Sequence, residues 1–335
     1  MSISASPDIA AIRPGRDCPL DYRIKADAFN GPPQHECESL YVIGGLYGNL
    51  QALRALDSLL LAEPHAQVIF NGDLHWFDRD PAIFRQVEQF AARHILLRGN
   101  VETELARAVD AGAGCGCAYP DEVADETVEW SNLIHQSLRQ TLQDMPTLRA
   151  KMMERKAHAL LEVAGHRVAV SHGDEFSLAG WKCSRQALQR PERQRQLTAW
   201  MDEQKISVFA TSHTCAPVAL SWGIGAVINN GAAGMPNFTG GQYGVISRIA
   251  STPCSRALYR ARVQGLYVEA IALQYDHAAF LIDFHRQWPA GSPAALSYAE
   301  RLLSCSPGSP SSALLGGFRQ CPISMQTSIH HNEFT

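Results

Sequence analysis

The chain has 335 residues, 46% of them hydrophobic, and its 29 Lys and Arg against 33 Asp and Glu leave a net charge of −4. That balance lacks the basic footprint of a nucleic-acid binder, and no run reaches the roughly 18 apolar residues of a membrane span. Nine cysteines, an odd number with no C-x-x-C pair and no secretory pattern ahead of them, argue against a disulfide framework and for a soluble protein of the cytoplasm.

Residues 1–36 mix Pro, Ser and Gly without sustained apolar periodicity and read as a disordered or loosely packed tail. One domain is expected over 37–305, opening on the strand Leu40-Tyr41-Val42-Ile43. Leu50, Leu53, Leu56, Leu59 and Leu60 then recur at helical spacing, which predicts the first crossover helix of a βαβ unit. The strand Ile69-Phe70-Asn71 runs into Gly72-Asp73, a helix follows over Pro81 to Arg93, and Leu96-Leu97 runs into Arg98-Gly99-Asn100. About seventy residues then separate Asn100 from His172, far more than one connection needs. Residues 118–164 read as a helical insertion, with helical spacing in Val128 to Leu142 and in Leu148 to Val163, placed either as a cap beside the site or on a far face. Val168-Ala169-Val170-Ser171 leads to His172-Gly173, with Asp174 and Trp181 close behind as candidate pocket residues. A polar helix through Trp200 precedes Val208 to His213, and Val227-Ile228-Asn229 runs into Asn230-Gly231. Leu266 to Leu273 reads as a late edge strand, a short helix ends near Leu303, and 306–335 read as a second mobile tail.

Apolar runs bounded by Gly read as buried strands, and the alternation with helices predicts a mainly parallel sheet covered on both faces. In such α/β sheets ligands gather outside the carboxyl ends of the strands. Asp73, Asn100, His172 and His213 are therefore expected to converge, and one carboxylate, one amide oxygen and two imidazoles suit a divalent ion.

This ordered set resembles the calcineurin-like metallophosphoesterases, whose pattern is D-x-H, G-D, G-N-H-[DE], H-G and G-H-x-H, over Ser39 to Ser304. The resemblance implies a four-layer α/β/β/α sandwich with a helical insertion, and hydrolysis of phosphate mono- or diesters. The departures are as informative as the matches. Gly45-Leu46-Tyr47 stands where the family has two ligands, Cys215 where it has the last His, and Val101 where it has the His that assists the leaving group. Loss of such an acid typically costs about 10²- to 10⁴-fold in rate.

What the resemblance implies is thus one divalent ion, Mn, Fe or Zn, at Asp73, Asn100, His172 and His213. Cys215 is the remaining donor at the degenerate position, and Cys115 and Cys117 would either add sulfur to it or pack under a loop. Tyr47 either donates to a phosphate or fills the space of the lost metal. Three catalytic candidates remain: His75, two residues past Asp73 and otherwise an exposed loop His; Arg98, placed to grip phosphate; and Glu102, which matches the acid closing the third landmark. Two readings stay open, a hydrolase of a small phosphorylated substrate or phosphoprotein, and an inactive member that binds a phosphorylated ligand or partner protein.

Overall fold

The computed structural model describes residues 12–322, in which two seven-stranded sheets stack with helices outside them. The first sheet runs, edge to edge, Arg319–Gln320, Ala257–Val263, Leu266–Leu273, Gly244–Ala250, Ser39–Ile43, Gln67–Asn71 and Ile95–Leu97. The second runs His35–Cys37, His158–Val163, His166–Ser171, Val208–Thr211, Ala226–Asn229, Val218–Ser221 and Leu314–Gly316.

Strand alternation builds the layers. In Ser39–Ile43, Leu40 and Val42 join the core shared with Val168, Val170, Val208, Ala210 and Ile228 of the other sheet. Tyr41 and Ile43 point the other way, onto Leu53 and Leu56 of helix Leu50–Leu60 and Val87 of helix Pro81–Ala91. On the far side Leu160, Ala169, Phe209 and Val227 meet Leu197, Trp200 and Met201 of helix Pro191–Gln204. Both faces of both sheets are covered, which is why these strands read as continuous apolar runs. The result is the expected four-layer α/β/β/α sandwich.

Parallel pairing is confined to parts of each sheet. Ser39–Ile43, Gln67–Asn71 and Ile95–Leu97 are parallel, as are His166–Ser171, Val208–Thr211 and Ala226–Asn229, while most of the remaining pairs are antiparallel. The two parallel trios therefore end on the same rim of the molecule. There Asn71 donates to the Ser171 carbonyl (2.8 Å) and the Ser212 hydroxyl (3.0 Å), and Asn230 donates to the Gly44 (2.9 Å) and Val245 (2.8 Å) carbonyls. These buried amides tie the two sheets together where the ligands emerge.

Four sequence expectations need correction. The stretch before residue 37 is packed from residue 12 onward: Tyr22, Ile24 and Phe29 are buried, and His35–Cys37 pairs with His158–Val163; residues 1–11 lie outside the described part. The insertion is helical only over Asp125–Leu142 and Pro146–Met153, and His158–Val163 is a strand in a hairpin with His166–Ser171. A short apolar run does not distinguish helix from strand by period alone, and Ala164 (φ 45°) with Gly165 (φ 80°) makes the two-residue turn that settles it. Leu266–Leu273 lies inside its sheet, because Ala257–Val263 and Arg319–Gln320 continue beyond it. Finally, of the tail 306–335, residues up to 322 are described and supply one strand to each sheet.

Candidate metal centre

Four side chains far apart in sequence meet at this rim. Asp73 leaves its strand through Gly72 and itself sits at φ 54°, a left-handed backbone that turns its carboxylate back over the sheet end. Only a glycine fits before it, since a Cβ at Gly72 would lie 2.7 Å from His172 Nδ1. Asn100 begins helix Asn100–Ala106, His172 directly follows strand His166–Ser171, and His213 follows Val208–Thr211 after Ser212. His172 Nε2 lies 3.2 Å from Asp73 Oδ2, 3.2 Å from Asn100 Oδ1 and 3.2 Å from His213 Nδ1. Asp73, His172 and His213 form a buried group whose ligand atoms all lie within 4.8 Å of one another.

The outward-facing atoms of these groups are already engaged. His172 Nδ1 bonds the Asn71 carbonyl (2.7 Å), His213 Nε2 the Cys117 carbonyl (2.9 Å), and Asn100 Nδ2 the Cys115 carbonyl (2.9 Å). With N–H groups directed at those carbonyls, the lone pairs of both rings and of the Asn100 oxygen face one point. This is how outer hydrogen bonds orient the ligands of a metal. Burial pulls the His172 imidazole down, but the Asp73 carboxylate beside it outweighs burial and its pKa ends above the usual value. Burial, helped by the neighbouring His172, pushes His213 down to about 3. Asp73 is held low in spite of its burial by His172 and then His213. A carboxylate and neutral imidazole are the forms that bind a divalent ion; Asp73 and His213 are held in them, and an ion in place of the proton that Asp73 draws onto His172 completes a donor set that fits.

Glu102 underlies the arrangement without entering it. Fully buried, it accepts from the backbone N–H groups of Asp73 (2.9 Å), Leu74 (2.7 Å) and Gly99 (2.8 Å). It fixes the Asp73 turn and the start of the Asn100 helix, and is a positioning residue rather than a catalytic one.

The remaining predicted residues fall elsewhere. His75 is buried, with Nδ1 on Asp78 (2.6 Å), Nε2 on Glu88 (2.8 Å) and its ring stacked on Phe84 at 3.6 Å. Burial opposes its charge, but the two carboxylates prevail and its pKa is pushed up to about 9. It is neither exposed nor free to serve a leaving group. Arg98 does not line the cavity over the ligands; Asp21, held low chiefly by its hydrogen bond to Arg107, also feels the Arg98 charge. Asp174 caps its own loop, accepting from the N–H groups of Phe176 and Ser177.

Cys215 is absent from the Asp73, His172, His213 group. Its sulfur meets the Tyr47 hydroxyl at 2.7 Å and the His213 carbonyl at 3.3 Å, and burial raises its pKa, keeping it a thiol. Tyr47 (φ 58°) turns back over Gly45, where a Cβ would lie 2.7 Å from the Tyr47 hydroxyl oxygen. The tyrosine thus fills the space that a ligand side chain at position 45 would use. Cys115 and Cys117 are buried and stay outside the Asp73, His172, His213 group; their carbonyls accept from Asn100 and meet His213, and the Cys117 sulfur also accepts from Asn100 Nδ2 at 3.5 Å.

Above the ligands is a cavity of about 180 Å³ whose walls include Trp76, Tyr119, Trp181, Tyr298 and Arg301. Trp181 could be suspected from its nearness to His172. Tyr298 and Arg301 could not, because they lie on helix Pro293–Ser304, where Ala and Leu spacing reads only as packing.

No protein-family model matches the chain, and no curated protein matches it in sequence. Among solved structures it is similar to the hypothetical protein PH1004 from Pyrococcus horikoshii OT3, with 13% identity and a TM-score of 0.57 over 81% of this chain and 99% of that one. It is also similar to a metallophosphoesterase from Sphaerobacter thermophilus, with 16% identity and a TM-score of 0.48 over 80% of this chain and all of that one. The chain thus shares the two-sheet fold of the PH1004 structure, with its Gly-Asp, Gly-Asn, His-Gly and His landmarks in order at the rim.

Proposed function

We propose that the protein is a phosphoesterase that works with a single divalent ion held by Asp73, Asn100, His172 and His213. The observation that carries this reading is the convergence of these groups, with the outer atoms of His172, His213 and Asn100 each tied to a backbone carbonyl. A fold kept only as a scaffold has no need of two buried imidazoles and a carboxylate within 4.8 Å. When bound, such an ion supplies a Lewis acid for a phosphoryl oxygen and lowers the pKa of water. The protein's part is to hold the four donors rigid, to shut the second metal position with Tyr47, and to leave the leaving-group side without the family's His, since Val101 stands there. The expected catalyst is therefore slow, and suited to esters with good leaving groups.

A second reading, binding of a phosphorylated ligand without turnover, is favoured by the same Tyr47 and Val101. Metal analysis and turnover of aryl phosphate mono- and diesters with Mn, Fe, Zn or Mg supplied separate the two. A single ion per chain, lost together with turnover in Asp73→Ala, is expected. Wild-type protein that binds metal but turns over no ester leaves the second reading, and an ion retained in Asp73→Ala removes this ligand set.

A further inference from the structure

The cavity over the ligands carries a fixed cation that metal binding does not use. Arg301 donates from Nη2 to the Cys215 carbonyl (2.8 Å) and from Nε to the Pro236 carbonyl (3.2 Å). Both bonds go to neutral oxygens and aim the guanidinium without neutralising it. Among the described residues no carboxylate pairs with Arg301. Trp76, also in the wall, is 3% exposed, and its buried indole N–H has no acceptor among the described residues. That nitrogen is closed off from the cavity, so Trp76 offers its ring as wall and Arg301 is the group left to meet an anion.

The other walls are flat. Tyr119 and Trp181 stand 6.0 Å apart by ring centroid, with Trp181 locked by its N–H on the Cys117 carbonyl (3.1 Å), and Tyr298 closes the third side. The volume of about 180 Å³ is close to the roughly 150 Å³ of a cavity that takes up benzene. Space, charge and walls together fit one planar ring with an attached phosphate.

We infer that this cavity binds a phosphate ester carried on a single aromatic ring, with Arg301 holding phosphate oxygens and the aromatic walls holding the ring. The inference rests on the phosphoesterase reading for the chemistry but not for the binding. The ring phosphate belongs to a free small molecule or to a phosphotyrosyl side chain, and the two sources share this chemistry.

Calorimetric titration of phenyl phosphate and cyclohexyl phosphate, into metal-free and zinc-loaded protein, tests it. Phenyl phosphate is expected to bind several-fold tighter than its saturated counterpart. Arg301→Gln should weaken phenyl phosphate by roughly 10- to 100-fold with bound zinc unchanged, since a charge-assisted bond to phosphate is lost. Arg301→Lys should recover part of that loss. A phosphotyrosyl peptide that binds as tightly as phenyl phosphate assigns the source to protein, and one that binds more weakly assigns it to small molecules. Equal affinity for the two esters, or an affinity indifferent to Arg301→Gln, overturns the inference. Tight phenyl phosphate binding without turnover removes only the hydrolase reading, whereas turnover indifferent to ring and to Arg301 removes only this one.

Discussion

Glu102 shows how much of the candidate centre rests on a residue that never faces it. Its carboxylate is shared among three buried N–H groups at the ends of two strands. Glu102→Gln replaces one accepting oxygen by an NH₂ that points at a donor, and hydrogen bonds to a charged group are worth about 1.5–3 kcal/mol. A loss of roughly 2–3 kcal/mol in chemical denaturation is expected, together with a fall of about 10- to 100-fold in metal affinity, as for other residues that orient ligands. Full metal affinity in a destabilised variant would show that Asp73 needs no such support. His75 illustrates the opposite error of reading position for role: two residues from Asp73, it belongs to a buried network in which Glu88, paired with His75 and Arg155, is held down to about 2 against the effect of burial. Nearness in sequence places a residue on a loop; it does not say which way the side chain turns.

At the scale of elements, the turn after Ser39–Ile43 packs on the turn after Val208–Thr211. Gly45, Tyr47 and Cys215 each depart from the pattern the sequence resembles, and in three dimensions they are one unit: the Tyr47 ring lies over Gly45 and its hydroxyl reaches Cys215. Gly45→Asp alone should therefore be destabilising by about 1–3 kcal/mol, through overpacking against Tyr47 and a positive φ of 64°. The triple variant Gly45→Asp, Tyr47→His, Cys215→His removes the ring and restores three donors. It is expected to bind one ion more than the parent, by elemental analysis; parent stoichiometry in the triple variant would mean that the turn itself has moved. The first insertion helix supports the cavity wall as well, through Ser131 and the Tyr119 hydroxyl at 3.1 Å.

For the whole molecule, the C-terminal segment acts as a clasp. Leu314–Gly316 extends the second sheet beside Val218–Ser221, and Arg319–Gln320 extends the first beside Ala257–Val263, with Phe318 between them edge-on to the buried Tyr259. A chain ended after Ser304 should lose roughly 2–4 kcal/mol from the apolar burial of Phe318 and its neighbours. It should also self-associate through two bared sheet edges. Thermal melting with light scattering checks both, and an unchanged melt would show that the strands merely rest on the sheets.

The strands that end at the rim and their order along the chain were legible, because Gly after an apolar run and helical spacing between runs are local signals that need no partner; His158–Val163, read as helix, and the antiparallel Val218–Ser221, Gly244–Ala250 and Ala257–Val263 were not. That legibility extended to Asp73, Asn100, His172 and His213, since strand direction alone sends them to one rim. What occupies the second metal position, which way His75, Arg98 and Glu102 turn, and that Arg301 enters the cavity were decided only by tertiary contact. Tyr47 and Cys215 are 168 residues apart and Arg301 stands 86 beyond Cys215, and no local period reports on contacts at such separation.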